Sequence, residues 1–193
     1  MTFFQVLKVT EENLCLYPGD ILSCSPGTEG FPDVSHIKTK RYANDNIINY
    51  WIGLLRELDR KMIIENPLRK TTLFIDSLTE ILNSVSKSNW EDLILYKKNL
   101  YRRNGGMKFV DYDRIVIPDN EERQFHWAMH VIYLQQKSIV YYNSFNVQKA
   151  NKNPELLLTF LEKMCQIDNV YFDKKDWKII LAKCPPQVLY YYI

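Results

Sequence analysis

The sequence predicts an α+β fold in a single domain. Two observations carry this: helical periodicity dominates up to about residue 104, and short apolar strand-like runs take over after Gly105-Gly106. A third refines it. One strong helix start, Asn153-Pro154-Glu155, falls among the strands, giving helices first and then a mixed or antiparallel sheet with one helix inserted. At 193 residues with 46% hydrophobic content, the chain suits one core without disulfides or metals.

Residues 1–40 hold several breakers (Pro18-Gly19, Ser25-Pro26-Gly27, Gly30, Pro32) and read as an irregular approach segment with a short strand near Phe3 to Val9. Ile47, Ile48, Trp51, Leu55, Leu58 and Met62 then recur at helical spacing behind Asn44-Asp45, which can cap a first turn. This predicts a helix over about 45–62 with that stripe in the core. Ser77-Leu78-Thr79-Glu80 has capping-box spacing and announces a second helix, followed by Ile81, Leu82 and Val85. A third, short helix starts after Asn89 and is broken at Gly105-Gly106.

Ile115-Val116-Ile117 reads as a strand closed by Pro118, which has no N–H to give to a ladder. His126 to Leu134 and Ser138 to Asn143, joined by Gln135-Gln136-Lys137, form a hairpin signal. After the Asn153 start, Leu156, Leu157, Phe160, Leu161 and Met164 make a buried face. Trp177 to Leu181 is the last strand, before Cys184-Pro185-Pro186-Gln187.

Composition excludes several functions. Net charge is +2, and no basic stripe interleaves with aromatics, so no nucleic-acid partner is expected. The cluster Lys97-Lys98 with Arg102-Arg103 reads as a solvated helix face. No apolar run reaches the ~18 residues that cross a bilayer, and no signal peptide is visible, so an intracellular, nuclear or cytoplasmic, protein is expected. Cys15, Cys24, Cys165 and Cys184 make no metal or disulfide framework. His126 and His130 share a strand face, but zinc needs three or four ligands; no metal and no cofactor are expected. His36 reads as a surface residue. Nucleophile elbows, phosphate loops and dinucleotide fingerprints are absent.

The chemistry-bearing residues are His126, Asn143 and Gln187. Imidazole titrates near neutrality and can shuttle a proton between a thiol and a leaving amine. A core histidine that only satisfies hydrogen bonds is the competing reading, and Asn143, seventeen residues on, tips the balance. Its side-chain oxygen can accept the far ring N–H and fix the tautomer, as the third member of a nucleophilic triad does. It brings no charge to stabilise an imidazolium. The Gln187 amide can donate to a developing oxyanion, a role worth roughly 3 kcal/mol per donor.

These residues resemble the ubiquitin-like-protein-specific (sentrin/SUMO-specific) cysteine proteases, which have a papain-like core. Tyr42-Ala43-Asn44-Asp45-Asn46-Ile47-Ile48-Asn49 is similar to the family's Trp-Leu-Asn-Asp-Glu-Ile-Ile-Asn. Ile117-Pro118 before His126-Trp127 is similar to its Ile-Pro and His-Trp, and Tyr141-Tyr142-Asn143-Ser144 to its Tyr-Tyr-Asp-Ser. Cys184-Pro185-Pro186-Gln187 is similar to its Cys-Pro-x-Gln. The resemblance divides the one domain into the approach segment 1–40, a family-like region 41–187 and a divergent end, 188–193.

The resemblance implies cleavage after the Gly-Gly tail of SUMO or another ubiquitin-like modifier. His126 would be the general base, Asn143 its orienter and Gln187 the oxyanion donor. Trp127 and Tyr42 would wall the tunnel for the tail, and Asp45 would face the modifier. Asn143 and Tyr42 depart from the family's aspartate and tryptophan. The family's nucleophilic cysteine lies six positions past the glutamine, where Ile193 stands here. Cys184 matches a non-catalytic cysteine, and Pro185 denies it a thiol-activating helix start. An inactive chain is therefore expected, with a non-catalytic modifier-binding pseudoprotease or a truncated gene product as the alternative. The helices that would follow the nucleophile are expected to be missing, exposing apolar surface on the 126–143 hairpin and the 177–181 strand.

Overall fold

The computed structural model describes residues 7–9, 14–16, 45–76, 81, 90–103, 107–121, 126–144 and 153–185. A two-stranded antiparallel pair opens the described chain: β1 (Leu7–Val9) lies within the strand expected near Phe3 to Val9, and β2 (Leu14–Leu16) was not expected in the segment read as irregular. Helix α1 (Asp45–Glu65) follows, then strand β3 (Thr72–Phe74) and helix α2 (Trp90–Arg103). Strand β4 (Arg114–Glu121), the hairpin β5 (His126–Tyr133) and β6 (Ser138–Tyr142), helix α3 (Asn153–Ile167) and strand β7 (Lys178–Leu181) complete the order. The sheet runs β3-β4-β5-β6-β7 and is mixed, with β3–β4 and β6–β7 parallel and the two central pairings antiparallel. The α+β fold is as expected.

Opposed residues share a sheet face. Ile115, Ile117, Ile132 and Ile139, none of them measurably exposed, meet Leu157, Phe160, Leu161 and Met164 of α3. Phe160 also takes the edge of Phe109 at 5.9 Å between centroids. Truncating such a residue to alanine costs about 3–5 kcal/mol. α3 therefore lies across one face of the sheet, the face that also carries His126 and Asn143.

Several expectations are corrected. The α1 stripe is rotated: Trp51 (58%), Leu55 (41%) and Leu58 (52%) are exposed, while Ile47, Ile52, Arg56 and Asp59 are buried. Long-range polar partners set that rotation. Arg56 donates to the Phe74 carbonyl at 3.0 Å and to Asp76 at 3.2 Å, and Asp59 accepts from Arg69 at 3.3 Å. Buried charges must be paired, and these pairs outweigh burial of the apolar stripe.

Pro118 does not end its strand: β4 continues to Glu121, with Pro118 opposite Met129. The Arg114 N–H and the Val116 carbonyl both point toward the β3 side, so even-numbered residues of β4 face that way. β3 stops at Phe74, which pairs with Val116, so the missing N–H of Pro118 falls past the end of the β3–β4 pairing. Lys97 is not solvated; it is buried and paired to Asp168. The helix after Asn89 is longer than expected, at 14 residues. Of the helix expected after Ser77, only Ile81 is described, helical and buried. His36 lies outside the described residues.

On β7, Ile179, Ile180 and Leu181 are 36–44% exposed, and Met129 on β5 is 37% exposed. Among the described residues, the expected apolar exposure is present at these positions.

Candidate functional site

The site is built at the open end of the β5–β6 hairpin. His126 is the first residue of β5, and Asn143 directly follows β6. The polar turn at 134–137 closes the other end, where Lys137 takes a positive φ of 48° and its N–H reaches the Leu134 carbonyl at 3.2 Å. This tight turn fixes the register, with Met129 opposite Tyr142 and His130 opposite Tyr141. Residues seventeen apart are thereby brought into contact. His126 Nε2 lies 3.0 Å from Asn143 Oδ1, and both side chains are 5% exposed.

A neutral imidazole has one N–H. With Nε2–H donating to the Asn143 oxygen, the lone pair sits on Nδ1, the basic nitrogen. Asn143 is held in turn: its Nδ2 donates to the Tyr141 hydroxyl at 2.8 Å. The arrangement can take a proton at Nδ1 with the ring fixed in plane and tautomer, and it supplies no carboxylate to the ring.

A second polar group lies further along the same face. His130 Nε2 meets Asp119 Oδ2 at 2.8 Å, both residues essentially unexposed. Asn153, at the start of α3, donates Nδ2 to both Asp119 oxygens at 2.8 and 3.0 Å. The His130 ring stacks on Tyr141, 4.8 Å between centroids and 23° between planes. Asp119, His130, Tyr141 and Asn153 were not anticipated in these roles. Alternation held a signal for one of them: Ile115 and Ile117 face the core, so Asp119 does too, and a buried carboxylate requires donors.

The other expected residues are distributed as follows. Trp127 is half-buried and alternates to the opposite side of β5 from His126. Asp45 is the first residue of α1, and its backbone alone is described. Tyr42 and Gln187 lie outside the described residues. His126 and His130 bind separate partners, and no group of metal-ligating side chains occurs among the described residues. Among the same residues, no helix is long and apolar enough to cross a membrane.

Two described thiols are free, Cys165 and Cys184. Burial on the inner face of α3, with the Asp168 carboxylate adding to it and Lys97 opposing, pushes the Cys165 thiol up. That thiol is held in its unreactive protonated form.

The profile of the Ulp1 protease family, C-terminal catalytic domain, matches residues 41–189. Sentrin-specific protease 2 of Rattus norvegicus is 25% identical over 130 residues, and that of Homo sapiens is 26% identical over the same length. Each alignment covers 67% of this chain and 19% of the relative, so the matched region is about a fifth of those proteins. A structure of the SUMO protease Ulp1 with its catalytic cysteine oxidized to a sulfonic acid superposes with a TM-score of 0.61 at 18% identity, covering 95% of this chain and 69% of that one. The Ulp1 protease domain in complex with Smt3, the yeast ortholog of SUMO, superposes with a TM-score of 0.58 at 20% identity, covering 97% and 70%. These likenesses establish a shared fold. The profile match spans most of the chain, which therefore belongs to the Ulp1 protease family.

Proposed function

We propose that residues 1–193 form a Ulp1-type cysteine-peptidase domain that receives the Gly-Gly tail of SUMO or another ubiquitin-like modifier and, as this polypeptide, binds it without cleaving. The observation that carries the reading is the 3.0 Å contact between His126 Nε2 and Asn143 Oδ1, inside the region that matches the family. His126 is the general base, acting through Nδ1, and Asn143 is its orienter. Gln187 is the oxyanion donor, Trp127 and Tyr42 wall the tail's path, and Asp45 faces the modifier.

The full reaction needs a thiol within reach of Nδ1. Such a thiol gives its proton to Nδ1, and the thiolate adds to the carbonyl of the last glycine. The ring then returns the proton to the leaving amine, and water releases the acyl group. In motif register, the nucleophile position holds Ile193, whose side chain has no group to attack with. Burial of Cys165 and its raised thiol pKa support its exclusion as a substitute. The free thiols at Cys165 and Cys184 are in keeping with an intracellular, nuclear or cytoplasmic, setting.

The test uses purified 1–193 with two probes. A SUMO ending in Gly-Gly is expected to bind, and Asp45→Arg to abolish binding. The same SUMO carrying a vinyl-sulfone terminus is expected to give no cysteine adduct. Absence of binding overturns the modifier reading, and an adduct at a cysteine overturns the non-cleaving one.

A further inference from the structure

We infer that the open edge of β7 is a docking site for an extended acidic peptide, which adds to the sheet as a further strand, independently of the His126 site.

β7 closes the sheet on one side, paired in parallel with β6, and no strand lies beyond it among the described residues. The Lys178 N–H donates to the Lys137 carbonyl and the Ala182 N–H to the Tyr141 carbonyl, both at 2.9 Å. Backbone groups alternate along a strand, so the N–H and C=O of Ile179 and of Leu181 point away from β6. Two donors and two acceptors thus face outward at strand spacing. Every residue of β7 is exposed, with Ile179, Ile180 and Leu181 at 36–44%. Ile179 and Leu181 lie opposite Ile139 and Tyr141, and Ile180 lies opposite Val140, so apolar surface is offered on both faces of the edge. A bare edge of this kind is a template for another chain, with main-chain bonds supplying affinity and alternate side chains supplying selectivity.

Charge selects the occupant. Lys137 is paired to Asp176 and Lys174 to Glu162, whereas the exposed Lys175, Lys178 and Lys183 have no carboxylate partner among the described residues. Lys178 opens the strand and Lys183 stands just past its end. They are separated by roughly 16 Å along an extended chain. A peptide with four apolar residues between two acids carries carboxylates at that same spacing, and its core covers Ile179 to Leu181. A second copy of this chain fits less well. Its β7, laid antiparallel with Ile179 opposite Leu181, would satisfy the main-chain groups. It would also bring its own Lys178 and Lys183 to the edge, with no carboxylate on β7 to meet them.

The experiment is fluorescence anisotropy on the whole chain at low salt, with three labelled peptides. These are Glu-Asp-Val-Ile-Val-Val-Asp-Glu, the same core flanked by lysines, and the acidic peptide with N-methylated core amides. The acidic peptide should bind saturably, the lysine-flanked one roughly tenfold more weakly, and the N-methylated one not at all. Lys178→Glu/Lys183→Glu should reverse the preference between the two charged peptides. Ile179→Pro removes one outward donor and leaves the bonds to β6, so it should weaken binding roughly tenfold while the ¹⁵N pattern of His130 reports an intact fold. Should that variant fail to fold, the charge reversal on the exposed lysines carries the test. In ¹⁵N-labelled protein, the Ile179 and Leu181 amides should shift on binding. No binding, equal affinity for both charged peptides, or a preference that the charge reversal leaves unchanged overturns the inference. Concentration-dependent shifts of the Ile179 and Leu181 amides without peptide also overturn it, assigning the edge to a second copy.

Discussion

The two ends of α3 are both pinned by buried polar clusters, and the clusters are of different kinds. At the C-terminal end, Asp168 just past the helix is bonded to Lys97 and accepts from the Tyr101 hydroxyl at 2.6 Å, and the Phe109 N–H reaches that hydroxyl at 3.1 Å. Opposite charges meet there, with a tyrosine proton driven well above its usual range by burial and the Asp168 bond. At the N-terminal end, Asn153, Asp119, His130, Tyr141, Asn143 and His126 form a chain of hydrogen bonds and one ring stack, ending on an imidazole. The first cluster ties α2 to the end of α3 through charge. The second has amides and rings whose orientation matters more than their charge. A charge pair resists loss of a partner; an amide chain resists rotation.

That contrast can be broken in order of expected effect. Lys97→Met strands the Asp168 carboxylate inside the protein and should cost about 3–5 kcal/mol by chemical denaturation, with Lys97→Met/Asp168→Leu recovering most of it. An equal loss in both proteins would mean that the pair is not what the C-terminal end rests on. Asp119→Ala removes the acceptor of both His130 and Asn153 and should cost about 2 kcal/mol. Because it frees the His130 ring that stacks on Tyr141, it should also shift the His130 ¹⁵N signals, which the Lys97 variants should leave alone.

The thiols sharpen the comparison more gently. Cys165 lies beside the charged cluster with its pKa raised chiefly by burial, so iodoacetamide at pH 8 should modify Cys184 well before it. A thiol favoured as neutral in the folded state gives stability that is complete below its unfolded value. That stability is lost as pH rises through the folded one, so stability should decline above about pH 8.5. Equal labelling rates would contradict the burial argument. Asn143→Ala should have the smallest effect on stability of these changes, yet it should remove the Nε2–H preference of His126.

Local features were the legible ones. The α3 start at Asn153-Pro154-Glu155, the 134–137 turn and the His126–Asn143 pairing each follow from short-range residue chemistry and one hairpin register. What escaped was set at a distance. β3 is three residues long and pairs parallel with a strand some forty residues later, so its sequence carries little signal of its own. The rotation of α1 depends on Asp76, Arg69 and the Phe74 carbonyl, which periodicity cannot see. Pro118 was read by its missing donor, without the knowledge that β3 ends beside it. Tyr141 and Asp119 were passed over because their roles depend on cross-strand neighbours.

The central claim is that the amide-held imidazole sits where a modifier's tail arrives. Titrating histidine-labelled 1–193 with SUMO ending in Gly-Gly tests it directly. The account predicts that the His126 resonance moves on binding while His130, sealed beneath α3, stays in place, with the SUMO recovered uncut. Saturation with no change at His126 would contradict it.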